Sequence, residues 1–329
     1  MEIIELNNSN TGMVVATHER QPKANLSRMA AFTAVTKDVN YMLNESEYAQ
    51  VFHKYYNRPY GLTMLLYAIM KKDVRSVEVL LKHGASANEC GYYQEERYYY
   101  TPSTAIGFAA LYGNKELVSL LIQYGANLHS IDGPLLFYPA QTDNSEIIIA
   151  LLEAGVDINE KMNNETALYL AATGSPKALQ TLIDCGADIY ASERSPLLAA
   201  VSSNSIECVK ILWPHSSKVE ERDEYGNTVL HYAGNLEIID FLISEGADPN
   251  STNLNGFSPL HNWINNGIYL SSIEIDSWCL NQAKILLENG ANPNLKDNEG
   301  KTALQIASQI KDPQSREKVE QLLKSYGAK

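Results

Sequence analysis

Residues 227–250 read NTVLHYAGNLEIIDFLISEGADPN, and this stretch carries the signals for two short helices followed by a turn. Thr228 has a hydroxyl where a helix N-cap needs an acceptor for a free backbone N–H. The apolar residues that follow recur at helical spacing. Gly246 suits the left-handed conformation that ends a helix, which residues with a Cβ resist. The polar residues after it predict a turn or a short hairpin.

The same order of signals recurs along most of the chain. Examples are STAIGFAALYGNKELVSLLIQYGANLHS from Ser103 and TALYLAATGSPKALQTLIDCGADIY from Thr166. Eight such units divide the 272 residues from about residue 58 to residue 329 into repeats of about 34 residues. No unit can bury its apolar face alone, so the units must stack on one another. We expect buried residues at the repeat interfaces, among them Leu151, Leu152, Leu182 and Leu242.

These residues resemble the ankyrin repeat family. The segments TVLHYA at 228–233 and SPLH at 258–261 resemble its opening TPLHxA motif, and GADPN at 246–250 and GANPN at 290–294 resemble its closing turn. The resemblance covers more than four fifths of the chain. It implies an all-α solenoid of stacked helix–turn–helix units with projecting hairpin fingers. It also implies that partners bind along the fingers and a concave face of first helices.

Four units depart from the pattern. Unit four lacks one residue after Ala172, and unit six lacks about three between Ala233 and Ile238. Unit five has Ser216 in place of the terminal glycine, and unit seven carries about eleven extra residues within 267–282. We expect these changes to alter the local helix connections and to leave the fold intact.

Residues 1–57 do not fit the repeat. The segments EIIEL and MVVAT, separated by NNSNTG, predict a β-hairpin. Two later segments, SRMAAFTAVTKDVNYML and SEYAQVFHKYY, predict helices. We interpret residues 1–57 as a cap that shields the open end of the array formed by residues 58–329. An independent recognition element is the alternative.

Composition excludes several classes of partner. A net charge of −13 and a pI near 5.0 disfavour a nucleic-acid groove or an anionic membrane surface, because both need cationic residues. A protein partner with a basic patch fits better. Four cysteines lie far apart without CxxC or metal-ligand spacing, so we predict no disulfide, metal or cofactor.

The sequence also predicts where the protein resides. The N-terminal MEIIELNNSN lacks the positive charge of a signal peptide. No apolar run approaches the ~18 residues of a membrane span. We therefore expect a cytoplasmic monomer, located in the host cytosol if the protein is a secreted bacterial effector.

Catalytic chemistry has little support. His231 and His261 occupy the histidine of the TPLH-like motif, where the ring commonly bonds to the adjacent turn in the family that this chain resembles. No phosphate loop, nucleophile–base pattern or carboxylate pair with an identifiable pocket is present in the sequence. We predict that the protein is not an enzyme and has no catalytic residues.

Residues 90–100 read CGYYQEERYYY and form an insertion of about eleven residues in the finger between units one and two. Tyrosine offers a large amphipathic contact area with few rotatable bonds, as binding loops require. We predict partner contacts at Tyr92, Tyr93, Arg97, Tyr98, Tyr99 and Tyr100. The alternative is an enlarged hairpin whose tyrosines pair across strands.

A second candidate surface lies on the finger VEERDEYGN at 219–227, where four carboxylates surround one arginine. They could dock a basic partner or simply form a solvated turn. The carboxylates are Glu220, Glu221, Asp223 and Glu224. Further contacts are predicted at Tyr112, Tyr225, Asn255 and Phe257.

The leading functional hypothesis is a scaffold that binds a specific protein. One setting is a bacterial effector that engages a host protein, and another is an immunity or inhibitor protein that neutralises a basic toxin or enzyme. A eukaryotic adaptor is also compatible with the sequence. The rival from another class is an enzyme, or an enzyme subunit, with its activity in residues 1–57 or in the 267–282 insertion.

Overall fold

The structure, a computed structural model, describes residues 63–91, 104–129, 133–215, 221–268 and 279–329 together with two short N-terminal strands. Strands β1 (Glu2–Glu5) and β2 (Val14–Thr17) pair antiparallel at the positions of the predicted hairpin. The two helices predicted within residues 1–57 lie outside the described residues. The capping role of this segment therefore stays a prediction.

Sixteen α-helices in the described ranges follow one another as eight consecutive pairs. The first four pairs are α1 (Met64–Met70) with α2 (Val74–Lys82), α3 (Ala105–Tyr112) with α4 (Lys115–Gln123), α5 (Phe137–Gln141) with α6 (Ser145–Glu153), and α7 (Ala167–Ala172) with α8 (Pro176–Asp184). The last four are α9 (Pro196–Ser202) with α10 (Ile206–Leu212), α11 (Val229–Tyr232) with α12 (Leu236–Ser244), α13 (Pro259–Gly267) with α14 (Leu280–Glu288), and α15 (Ala303–Ala307) with α16 (Pro313–Ser325).

The helices pack within two compact units. The N-terminal unit comprises Met1–Pro139 and Glu146–Val156, and the C-terminal unit comprises Ala140–Ser145 and Asp157–Lys329. In the N-terminal unit α1 packs on α3 and α2 packs on α4. In the C-terminal unit the first helices α7, α9, α11, α13 and α15 contact one another in sequence order, as do the second helices α8, α10, α12, α14 and α16. Within each of these two compact units, the helix pairs therefore bury their apolar faces against neighbouring pairs.

Hydroxyl residues and glycines set the ends of the helices. The side chains of Thr63 and Thr166 accept hydrogen bonds from the N–H groups of Leu66 and Tyr169, each at 3.2 Å. These bonds satisfy donors that have no partner within the helix. Gly246 follows α12 with φ +97°, a left-handed conformation that an L side chain rarely adopts.

The core consists mainly of aliphatic and small residues, together with aromatic residues such as Phe108 and Tyr138. Leu151, Leu182 and Leu242 are fully buried, as predicted. The prediction for Leu152 is wrong, because this residue is only half-buried. On α6 the buried face contains Ile147, Ile148, Ala150 and Leu151. Leu152 lies at the edge of that face.

Asparagine side chains tie successive loops together. Nδ2 of Asn250 donates to the carbonyl oxygen of Gly290 at 3.0 Å, and its Oδ1 accepts from the N–H of Asn292 at 2.7 Å. Asn88 and Asn294 make the same two bonds to the loop that follows theirs. The last residue of the GADPN-type turn thus links one repeat to the next.

Unit five departs from this pattern. Tyr190 occupies the asparagine position of the preceding loop, and its hydroxyl donates to the carbonyl oxygen of His215 at 2.9 Å. After α10 the chain continues into a 3₁₀ turn, Trp213–His215. Ser216, the residue in the place of the terminal glycine, lies outside the described residues.

The shortened unit six receives a hydrogen bond from its neighbour. Its first helix, α11, has only four residues. Nε2 of the buried Gln282, on α14, donates to the carbonyl oxygen of Gly234 at 2.6 Å. The bond satisfies a carbonyl just after the short helix. Residues 269–278, which hold most of the extra residues of unit seven, lie outside the described ranges.

Candidate functional site

Three finger tips in the C-terminal unit share one turn. We name residues 223–227, 253–257 and 297–301 tips 1, 2 and 3. In tip 1 the Oδ1 atom of Asp223 accepts hydrogen bonds from the N–H groups of Tyr225 at 2.9 Å and Asn227 at 2.8 Å. A short polar side chain thereby replaces the backbone acceptors of a tight turn.

Tips 2 and 3 repeat this arrangement. Oδ1 of Asn253 accepts from the second and fourth residues after it at 2.9 and 3.0 Å, and Oδ1 of Asp297 does so at 2.9 and 2.8 Å. The fourth residue of each tip is a glycine with φ between +76° and +80°. The first and fourth residues of each tip therefore determine its backbone geometry.

Hydrogen bonds also join one tip to the next. The N–H of Leu254 donates to the carbonyl oxygen of Tyr225 at 3.0 Å, and the N–H of Asn298 donates to that of Asn255 at 3.1 Å. Nδ2 of Asn298 adds a 2.7 Å bond to the carbonyl oxygen of Leu254. The three tips thus form one connected row.

The second carboxylate oxygen of Asp223 is engaged inside the protein. It accepts hydrogen bonds from the hydroxyl of Tyr232 and from Nδ2 of Asn227. Burial alone would raise the pKa of Asp223, but these bonds hold it below its ordinary value. Burial and the Asp223 carboxylate both raise the pKa of Tyr232. Asp223 therefore joins the tip to α11, and its predicted contact with a partner must compete with this network.

The other members of the acidic cluster differ in their surroundings. Glu221 is half-buried. Burial raises the pKa of its carboxyl group, although a hydrogen bond from Ser195 acts in the opposite direction. Glu224 is exposed on tip 1, and Glu220 lies outside the described residues. The guanidinium of Arg222 donates to two backbone carbonyl oxygens at 2.7 and 2.8 Å. Among the described carboxylates of the cluster, only Glu224 is exposed.

The remaining predicted contacts also fall in different environments. The side chain of Tyr225 is 61% exposed, and Asn255 is exposed on tip 2. The half-buried Phe257 stacks on His261 with ring centres 5.9 Å apart. Tyr112, in the N-terminal unit, is half-buried against a phenylalanine of α3. Tyr225 and Asn255 are therefore the more accessible of these four.

The tyrosine insertion begins and ends at one place in the N-terminal unit. Cys90 and Thr104 form an isolated antiparallel bridge, and the N–H of Ala105 donates to the carbonyl oxygen of Glu89 at 2.9 Å. The six predicted contact residues of the insertion lie outside the described residues; they are Tyr92, Tyr93, Arg97, Tyr98, Tyr99 and Tyr100. Their contacts with a partner stay a prediction.

Two exposed apolar residues were not predicted from the sequence. Leu254 on tip 2 is 70% exposed, and Tyr190 is 64% exposed. The signal for Leu254 is a leucine within the otherwise polar turn NLNG. Such a turn has no core to receive a leucine, so its exposure could have been anticipated.

The two motif histidines have structural surroundings. Nδ1 of His231 accepts from the N–H of Thr228 at 3.1 Å, and its Nε2 lies 2.9 Å from the carbonyl oxygen of Phe257. Nδ1 of His261 lies 2.8 Å from the hydroxyl of Ser258. Burial lowers the pKa of both histidines. The predicted bond to the adjacent turn is confirmed for His231.

The described ranges contain no group of three or more histidine, cysteine, aspartate or glutamate side chains that could hold a metal ion. None of the helices in those ranges is long and apolar enough to cross a membrane.

Comparison with known proteins identifies the family. Three copies of the ankyrin-repeats model match residues 106–193, 174–253 and 233–329, and a single ankyrin-repeat model matches residues 60–92. The chain belongs to the ankyrin repeat family. The predicted fold class, an all-α solenoid of stacked helix pairs, is confirmed. Ankyrin repeats are protein–protein interaction modules.

Relatives occur in viruses and bacteria. The chain is 30% identical over 217 residues to the ankyrin repeat protein L371 of Acanthamoeba polyphaga mimivirus, covering 60% of this chain and 27% of that protein. It is 30% identical over 201 residues to the ankyrin repeat protein YahD of Escherichia coli (strain K12), covering 57% of this chain and 94% of that protein. The chain thus spans about a quarter of the viral relative.

A solved structure supports the fold. The human ASB11 ankyrin repeat domain superposes with a TM-score of 0.57 at 22% identity, covering 68% of this chain and 98% of that domain.

Proposed function

We propose that this protein is a non-enzymatic scaffold that binds one specific protein through its fingers and first helices. The observation that carries the proposal is the connected row of three tips. Hydrogen bonds organise these tips in advance, and two of them present exposed apolar side chains. A surface that is already ordered loses less conformational entropy on binding.

The proposed partner carries a basic patch. The net charge of −13 supports this choice, as does the exposed carboxylate of Glu224 on tip 1. Complementary charge accelerates association and excludes wrong partners more than it adds affinity. Glu220 and the residues of the tyrosine insertion belong to the same proposal, on the sequence argument alone.

Both biological settings named above, the effector and the inhibitor, are compatible with such a partner. The identity of the bound protein distinguishes them, since an effector binds a host protein and an inhibitor binds a basic toxin or enzyme. A bacterial relative matched over 94% of its own length is compatible with both settings.

The proposal is tested by affinity capture on the immobilised full chain from lysates of candidate hosts and of bacteria, followed by mass spectrometry. A variant without residues 92–100 is the control. We expect a basic protein to be retained by the full chain and to form a stoichiometric complex when purified. If every captured protein is retained equally after the chain has been unfolded, the scaffold proposal is wrong.

A further inference from the structure

Tyr225 and Leu254 lie on neighbouring tips and are held at fixed positions. The N–H of Leu254 donates to the carbonyl oxygen of Tyr225 at 3.0 Å. Gly226 lies close to Leu254. A Cβ added to Gly226 would lie 3.0 Å from the backbone nitrogen of Leu254 and 3.1 Å from its Cγ. The tips are therefore packed against each other as well as hydrogen-bonded.

Both side chains extend into solvent in spite of this close packing. Tyr225 is 61% exposed. Leu254 is 70% exposed, which is the highest value among the large apolar residues of the described ranges. Exposed apolar side chains that lie singly on a surface need no explanation. Here two of them are adjacent on a backbone whose turn bonds leave little freedom for rearrangement.

One exposed carboxylate lies next to the pair. Glu224 directly precedes Tyr225, is exposed, and forms no ion pair within the described part of the chain. The cation of tip 3, Lys301, pairs with Glu299 at 2.6 Å. Arg222 is occupied by two backbone carbonyl oxygens. A ligand therefore meets an unpaired carboxylate beside an apolar pair.

We propose that Tyr225 and Leu254 form an apolar contact site for one hydrophobic side chain of the protein partner, flanked by a lysine or arginine that pairs with Glu224. This inference deepens the proposed function and rests on it. It specifies a basic segment with one apolar anchor, and it places that anchor at the junction of tips 1 and 2.

The site can be tested before the natural partner is known. Random dodecapeptides displayed on phage are selected on the immobilised full chain, and the enriched sequences are synthesised as fluorescent probes. We expect the enriched peptides to carry an apolar residue next to lysine or arginine. The double variant Tyr225→Ser/Leu254→Ser should bind these probes at least about tenfold more weakly, as for loss of a central anchor.

Two further variants test the charge and the specificity. Glu224→Gln should weaken binding and reduce the dependence of the Kd on salt concentration. The matched control is Leu236→Ser, which removes an exposed leucine from α12, and it should bind as the wild type does. Thermal unfolding of each variant verifies that the fold is retained.

Three results would contradict the inference. Probes that bind the double variant as tightly as the wild type would show a binding surface elsewhere, so that the site is wrong while the scaffold proposal stands. Enriched peptides without cationic residues would overturn the stated partner chemistry. If the captured natural partner binds the wild type and the double variant equally, the site is also wrong.

Discussion

Nε2 of His231 lies 2.9 Å from the backbone carbonyl oxygen of Phe257, so a buried imidazole on α11 holds the finger that precedes α13. Its Nδ1 accepts from the N–H of Thr228, which requires the neutral ring with its proton on Nε2. Protonation of Nδ1 would remove that acceptor and place a charge in a buried site. Two charged groups act on the pKa of His231. Arg222 lowers it and so disfavours protonation, whereas Asp223 raises it and so favours protonation.

Acid should therefore weaken the fold through His231. Burial lowers its pKa in the folded protein, so between that value and the unfolded value of about 6.5 the unfolded chain binds more protons. The contribution to stability is complete above about pH 6.5 and decreases as the pH falls below it. We expect His231→Gln to reduce the difference between denaturant midpoints measured at about pH 7 and about pH 5.5. The control is His129→Gln, at an exposed position, which should keep the wild-type difference between the two midpoints. A wild-type difference in His231→Gln as well would contradict the prediction.

Leu182→Ala should strongly destabilise the C-terminal unit. Leu182 is fully buried on α8, and truncation of such a leucine costs about 2–5 kcal/mol. Because each repeat contacts its neighbours, the loss should also reduce the cooperativity of chemical denaturation. Leu236→Ala is the control, since Leu236 is 41% exposed. Equal midpoints for the two variants would mean that the repeat interface is assigned incorrectly.

Gly256→Ala should separate tip 2 from tip 3. An added Cβ would meet both the nitrogen and Oδ1 of Asn298 at 2.6 Å, so the tips must move apart. Gly246→Ala is matched to it, because Gly246 also has a positive φ but has no atom within 4 Å of the added Cβ. Both variants should be destabilised by the roughly 1–2 kcal/mol that the left-handed conformation costs an alanine, and only Gly256→Ala should add a steric cost.

Amide hydrogen exchange measures this difference directly. The N–H of Asn298 is hydrogen-bonded to the carbonyl oxygen of Asn255 in the wild type. Its exchange rate should increase in Gly256→Ala and stay at the wild-type value in Gly246→Ala. Protection of Asn298 in both variants would show that the tips tolerate the added methyl group.

Asp223 and Glu224 should respond differently to substitution. Asp223→Ala removes the acceptor for four hydrogen bonds in and around tip 1, so it should lower the free energy of unfolding by more than the roughly 1 kcal/mol of a single bond. Glu224→Lys should leave stability unchanged. It should slow association with the captured partner and weaken the salt dependence of that rate. Association rates that do not change for Glu224→Lys would identify this part of the cluster as a solvated turn.

The tyrosine insertion has its own test. Tyr99→Ala and Tyr100→Ala should each weaken binding of the captured partner by about tenfold or more, since an aromatic anchor contributes ~2 kcal/mol or more. The thermal midpoint should change little. Normal binding together with a lowered midpoint would instead mean that these tyrosines pack against the neighbouring finger, and the search for contacts would turn to Tyr225 and Phe257.

The sequence by itself determined the repeat, the helix pairs and their ends. These features depend on residues close together in the chain, such as Thr166 at the start of α7 or Gly246 after α12. Caps, turns and helical periodicity are local interactions, so a pattern of residues within one unit is sufficient to predict them. The structural role of His231 was expected from the family resemblance, because its bond to Phe257 joins residues 26 apart in the chain.

Only the tertiary structure decided what the candidate surface contains. The carboxylate of Asp223 looked available for a partner, but the hydroxyl of Tyr232, nine residues later on another element, occupies it. The N–H of Leu254, on the next finger and 29 residues along the chain, donates to the carbonyl oxygen of Tyr225. The bond between Leu254 and Tyr225 arises when repeats stack, and the spacing within one repeat carries no information about it. Burial of a side chain is likewise set by its neighbours in space, as the half-exposed edge position of Leu152 shows.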